Sequence, residues 1–151
     1  MDKQGFIRIT KAFKFEMAHA LKGYDGLCRN IHGHTYELKV TVAGNLVFDE
    51  NSPKLGMVMD FGDLKKIVKE EVVDKYDHSL VLYNKMPERL IAELKNNFER
   101  IILKDYNPTS ELMLLDFVKT IQARLPENVM LKRMFLRETT TSYAEWFAED
   151  N

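Results

Sequence analysis

Apolar and polar residues alternate along the first part of the chain. Ile7, Ile9, Phe13, Phe15, Met17 and His19 fall on one side of an extended segment, with Lys11 the exception. A period of two predicts a half-buried β-strand from Phe6 to His19. Residues 20–31, ALKGYDGLCRNI, break the pattern with Gly23 and Gly26 and read as a loop. The alternation resumes in HGHTYELKVTV. His32, His34, Tyr36, Leu38, Val40 and Val42 share one side, which predicts a second strand continuing past Gly44 towards Phe48. Both strands therefore carry imidazoles on their apolar side, where an unpartnered polar ring is costly.

Helical spacing follows. Leu64, Ile67, Val68 and Val72 recur at the period of a helix that ends near Tyr76, with Asp60 or Gly62 as its cap. A second helical pattern runs from Pro87 through Leu90, Leu94, Phe98 and Ile101 or Ile102. A third starts at NPTSE, with Asn107 as cap and Pro108 in the first turn, and continues through Leu114, Leu115, Val118, Ile121 and Leu125. VMLKRMFLRE and TSYAEWFAE read as two closing strands. Strands, then helices, then strands predict an α+β fold with a four-stranded antiparallel sheet and helices on one face.

Composition changes this picture little. The chain has 151 residues, 45% hydrophobic and 30% charged, with a formal net charge of −1. It suits one globular domain. That charge supplies no electrostatic case for nucleic acid or an anionic membrane. No apolar run is long enough to cross a bilayer. The single cysteine excludes an intrachain disulfide and, with an N-terminus lacking the apolar stretch of a signal peptide, points to the cytoplasm.

The histidines change it more. There are four: His19, His32, His34 and His78. His32 and His34 point the same way, and His19 joins them if the first two strands pair antiparallel through the loop. Three neutral imidazoles with a free fourth position suit a catalytic zinc ion, and iron, nickel or copper accept the same donors. The bland alternative is a set of core histidines satisfied by hydrogen bonds. Cys28, just before the pair, is either a reactive thiolate, a fourth ligand or an inert thiol. Asp77 and His78 are either a carboxylate–imidazole pair for proton transfer or a helix-terminal acid beside a surface histidine.

Six blocks then occur in order: FKFEMAHAL, CRNIHGHTYELKVTVAG, GMVMDFGDLK, YDHSLVL, NPTSE and LRETTTSYAEW. Together, over residues 6–147, they resemble the 6-pyruvoyltetrahydropterin synthase family, including its 6-carboxytetrahydropterin synthase branch. The resemblance implies His19, His32 and His34 as zinc ligands, one Zn²⁺ per subunit. It implies Cys28 as proton-abstracting base, Asp77 and His78 as assisting pair, and Glu138 as the acid that anchors the pterin ring. It implies the tunnelling fold, ββααββ, with sheets joined into a barrel, and a homohexamer made as a dimer of trimers with active sites at subunit boundaries.

Three residues separate Cys28 from His32, a short interval similar to that of the carboxy branch. That branch converts 7,8-dihydroneopterin triphosphate to 6-carboxy-5,6,7,8-tetrahydropterin with release of acetaldehyde and triphosphate, serving queuosine and deazapurine pathways. The alternatives are the pyruvoyl synthase and a non-enzymatic zinc- or pterin-binding module. Lys22, Arg29, Lys132 and Arg137 are candidate partners for the triphosphate. Two departures stand out. Residues 84–106 read as a helical insertion in one domain spanning 1–151. Leu82 stands where the family often has an Asn.

Overall fold

The computed structural model describes residues 5–151. Six strands form it: β1 (Phe6–His19), β2 (His32–Asn45), β3 (Ser79–Tyr83), β4 (Ile101–Lys104), β5 (Met130–Thr139) and β6 (Ser142–Phe147). They make one mixed sheet in the order β4-β3-β1-β2-β5-β6. The alternating segments of the sequence become its centre. β1 and β2 pair antiparallel along their whole length, from Phe6 opposite Asn45 to His19 opposite His32.

The helices are α1 (Phe61–Val68), continued by a π turn (Lys69–Val73) into the single turn α2 (Asp74–Tyr76), then α3 (Glu88–Asn97) and α4 (Ser110–Gln122). Asp60 caps α1 by accepting from the Gly62 N–H at 2.7 Å. The core lies between one sheet face and the helices α1 and α4. Phe15 stacks on Tyr36 with ring centroids 5.4 Å apart and meets Phe117 of α4 edge-on at 6.3 Å. Leu38, Val40, Leu64, Val68, Val81, Ile121 and Leu136 complete a continuous apolar cluster.

Five expectations need correction. The sheet has six strands and is mixed, not four-stranded and antiparallel, because β3 runs parallel to β1 and β4 parallel to β3. The helix expected from Pro87 to Ile101 or Ile102 stops at Asn97. Phe98 is already extended, and Ile101 and Ile102 form β4. These β-branched residues fit a pleated strand better than a helix end, and pairing with Leu80 and Val81 makes the choice. The second strand ends at Asn45 rather than running on to Phe48. The last long helix is capped by Thr109, whose hydroxyl accepts from the Leu112 N–H, not by Asn107.

Nor do all helices share one face. Residues of α3 bury nothing in the core. Leu94 and the following Phe98 instead border an open cleft of about 960 Å³ together with Glu16, Ala18 and Thr35. Those three alternate with Met17, His34 and Tyr36 of the core side and so face the other way.

Candidate metal centre and active site

The register of the two long strands builds the centre. His19 lies opposite His32, and Met17 opposite His34, so three imidazoles meet at the end of the core face. Their ligand atoms lie within 4.8 Å of one another. His19 is 1% exposed.

Second partners orient two of the rings. His19 Nδ1 is 2.7 Å from the Pro108 carbonyl, and His32 Nδ1 is 2.7 Å from the Asn30 carbonyl. A carbonyl only accepts, so each Nδ1 carries the proton. In the neutral rings Nε2 is then bare. These two Nε2 atoms face each other at 3.0 Å. Two opposed lone pairs repel unless a cation or an extra proton sits near them. Burial holds the pKa of His19 below its ordinary value, despite the Pro108 carbonyl and the Glu138 carboxylate, and burial likewise lowers that of His34. An extra proton on His19 is thus disfavoured. His34 Nε2 is buried without any hydrogen-bond partner. An orphaned nitrogen, opposed lone pairs and backbone-oriented rings fit a bound metal ion.

Glu138 completes this side. From β5 its Oε1 approaches His19 Nε2 at 3.3 Å and His34 Nε2 at 3.6 Å. The Tyr36 hydroxyl donates to the same oxygen at 3.4 Å. Burial and the facing carboxylate keep the Tyr36 phenol protonated, with its pKa raised. Tyr36 was legible only as an apolar strand position. Its signal was its place two residues after His34 on the same face.

Cys28 rides a short turn, Leu27–Arg29, and is half-buried. Among the described residues the convergent ligand set contains the three histidines and not this thiol. Its carbonyl accepts from the Leu21 N–H at 3.0 Å, which closes the neck of the loop.

Asp77 and His78 do form a pair, with Asp77 Oδ2 2.9 Å from His78 Nδ1. The backbone of Glu16 holds both. Its N–H donates to Asp77 Oδ1 at 2.8 Å, and its carbonyl accepts from the His78 N–H at 2.6 Å. The Glu16 N–H, ahead of the His78 ring, holds the Asp77 carboxyl below the usual carboxylate range. His78 sits at φ 59°, a left-handed conformation that a non-glycine residue adopts only under constraint. Among the described residues no hydrogen bond or ion pair joins this pair to the histidine cluster; His78 borders the open cleft, whose lining also includes Glu16, Thr35 and His34. Sequence reasoning also missed Glu16, whose contribution to the pair is made by its main chain and leaves no residue-type signal.

A sequence model of the family described as 6-pyruvoyl tetrahydropterin synthase matches residues 8–149. The chain belongs to this family. Among its relatives is a protein of Haemophilus influenzae named 6-carboxy-5,6,7,8-tetrahydropterin synthase, 36% identical over 141 residues that cover 92% of this chain and 97% of the relative. A dihydroneopterin monophosphate aldolase of Pyrococcus furiosus is 34% identical over 131 residues, covering 87% and 89%. Among solved structures, the 6-pyruvoyl tetrahydropterin synthase of Caenorhabditis elegans shares the fold, with a TM-score of 0.67, 23% identity and coverage of 98% and 99%. No helix among the described residues is long and apolar enough to cross a membrane.

Proposed function

We propose that this member of the family is a zinc-dependent 6-carboxy-5,6,7,8-tetrahydropterin synthase. It acts on 7,8-dihydroneopterin triphosphate and releases acetaldehyde and triphosphate, in the cytoplasm and in service of queuosine or deazapurine synthesis. The observation that carries the reading is the convergence of the three imidazoles, with an orphaned His34 Nε2, beside the loop that holds Cys28. The short Cys28–His32 interval and the name of the Haemophilus relative favour the carboxy product.

His19, His32 and His34 hold the ion. When bound there, zinc supplies Lewis acidity that lowers the pKa of neighbouring O–H and C–H groups. Glu138, beside His34, accepts from the N–H groups of the pterin ring and fixes which hydrogen faces the base. Cys28, as thiolate, takes that proton. His78, held in one tautomer by Asp77, carries protons to and from the reacting side chain. Since no hydrogen bond or ion pair among the described residues joins His78 to the three imidazoles, we assign it to the site of a neighbouring copy in a homohexamer, a dimer of trimers. Support comes from β1, which pairs with β3 only over Met17–His19 and leaves its edge at residues 6–16 without a partner among the described residues.

The test is incubation of metal-analysed, zinc-loaded protein with 7,8-dihydroneopterin triphosphate. Acetaldehyde and a 6-carboxy product are expected. A product that keeps its three-carbon side chain would instead mark a pyruvoyl synthase. No product from fully loaded protein would leave a metal- or pterin-binding module.

A further inference from the structure

Four cations were candidates for the substrate's triphosphate, and their placement in the fold ranks them. Arg137 neighbours Glu138 on β5 and therefore points to the opposite face, where its guanidinium is bonded to Glu37. The ammonium of Lys132 lies over the Phe6 ring at 5.9 Å. It is six residues from Glu138 along β5, roughly 20 Å away at strand rise. Neither is free to meet a ligand at the histidines.

Lys22 and Arg29 are placed differently. Both are exposed, and among the described residues neither takes an ion-pair partner. Both ride the loop that joins the first histidine to the second. Lys22 follows His19 by three residues, and Arg29 precedes His32 by three. The loop is fastened. Its neck is closed by the Leu21–Cys28 backbone bond. The main chain of Lys22 is clamped by Asn107, whose Oδ1 accepts from the Lys22 N–H at 2.9 Å and whose Nδ2 donates to the Lys22 carbonyl at 3.4 Å. The two cations therefore sit on an anchored frame beside the centre.

Position along the strands points the same way. His34 and then His32 follow Tyr36 along β2, His19 lies opposite His32, and the loop begins where both strands end. A substrate whose side-chain hydroxyls lie at the histidines carries its triphosphate on the third side-chain carbon, and the loop is the chain segment that leaves the strands there. We propose that Lys22 and Arg29 bind the triphosphate of the substrate. The inference rests on the pterin-triphosphate reading above.

Zinc-loaded Lys22→Gln, Arg29→Gln and the double variant test it, with metal content measured in each. Two quantities are compared: KM for 7,8-dihydroneopterin triphosphate, and the Kd of phosphate-free 7,8-dihydroneopterin from its fluorescence. Each single change is expected to raise KM about tenfold, and the pair about a hundredfold, with a smaller effect on kcat. Affinity for the phosphate-free pterin stays within about twofold. Lys22→Arg keeps most of the wild-type KM. An unchanged KM in the double variant overturns the proposal and moves the phosphate site to other cations, a neighbouring copy's included. Equal losses for both ligands overturn it too, since they mean that the two residues only shape the loop. If wild-type protein makes no product, the synthase reading falls separately. The same contrast, read as equilibrium affinity for the two pterins, then still decides the phosphate contact.

Discussion

At the scale of single residues, the proposed function assigns the holding of an ion to some groups and the movement of protons to others. His34 has no partner other than what the centre provides, so His34→Ala should leave the purified protein with substoichiometric zinc by elemental analysis. Cys28 lies outside the ligand set. Cys28→Ala should keep its zinc while turnover drops by ~10²–10⁴-fold, the usual contribution of an acid–base group. Zinc lost along with the thiol would make Cys28 a ligand and end its assignment as base. His78 gives a prediction of another kind. At φ 59° a Cβ is strained, so His78→Gly should unfold at a higher temperature than His78→Ala, by about 1 kcal/mol in stability, although both lose the imidazole. The histidines and Cys28 stand out in the sequence by type and spacing, whereas Glu138 is pointed to only by the family resemblance. Tyr36 and the main chain of Glu16 were legible in neither way. One looked like core, and the other acts through atoms every residue has.

At the scale of elements, β4 is tied to α4 by a half-buried polar cluster. Lys104 Nζ is 2.8 Å from Asp116 Oδ2, the Tyr106 hydroxyl donates to the same oxygen at 2.5 Å, and the Lys104 ammonium lies over the Tyr76 ring at 5.2 Å. Burial pushes the Asp116 carboxyl up, but Lys104 and Tyr106 outweigh it and hold the pKa below the ordinary value. Burial pulls Lys104 down, but Asp116 and Tyr76 leave it raised. A depressed carboxyl contributes stability above its unfolded-state pKa and loses it as pH falls through the folded value. A raised ammonium contributes below its unfolded-state pKa and loses it as pH rises through the folded one. The tie should therefore act fully between about pH 4 and pH 10. Asp116→Asn should cost about 1–3 kcal/mol at neutral pH in chemical denaturation, and the deficit should shrink below about pH 4. This element was misread from sequence. Leu90, Leu94, Phe98 and Ile101 satisfy the helical period as well as any real helix. Only pairing with β3, remote in the chain, turns Ile101 and Ile102 into a strand.

At the scale of the whole molecule, no hydrogen bond or ion pair among the described residues joins one chain's Asp77–His78 pair to its three imidazoles. The proposed assembly resolves this by letting one copy's pair serve another's centre. Two inactive variants should then rescue each other. His34→Ala and His78→Ala, unfolded and refolded together, should recover a measurable fraction of wild-type turnover, because some mixed sites combine an intact centre with an intact pair. Mixing already assembled variants should recover less. Sedimentation should give a hexamer for both. Absence of rescue in mixed hexamers would return the pair to its own chain, or remove it from the chemistry.

The sequence alone determined the α+β class, the two long strands and the donor set of the centre. An alternating pattern and a histidine spacing are local properties, set by the chain's own periodicity. It did not determine the six-stranded mixed sheet, the position of α3, the approach of Glu138 to the imidazoles or the bonding of Asp77 and His78 to the Glu16 main chain. Each of these depends on which distant segments pair and on which side of the sheet a side chain emerges. Those are matters of register, where a shift of one residue reverses every face, and only the folded chain decides them.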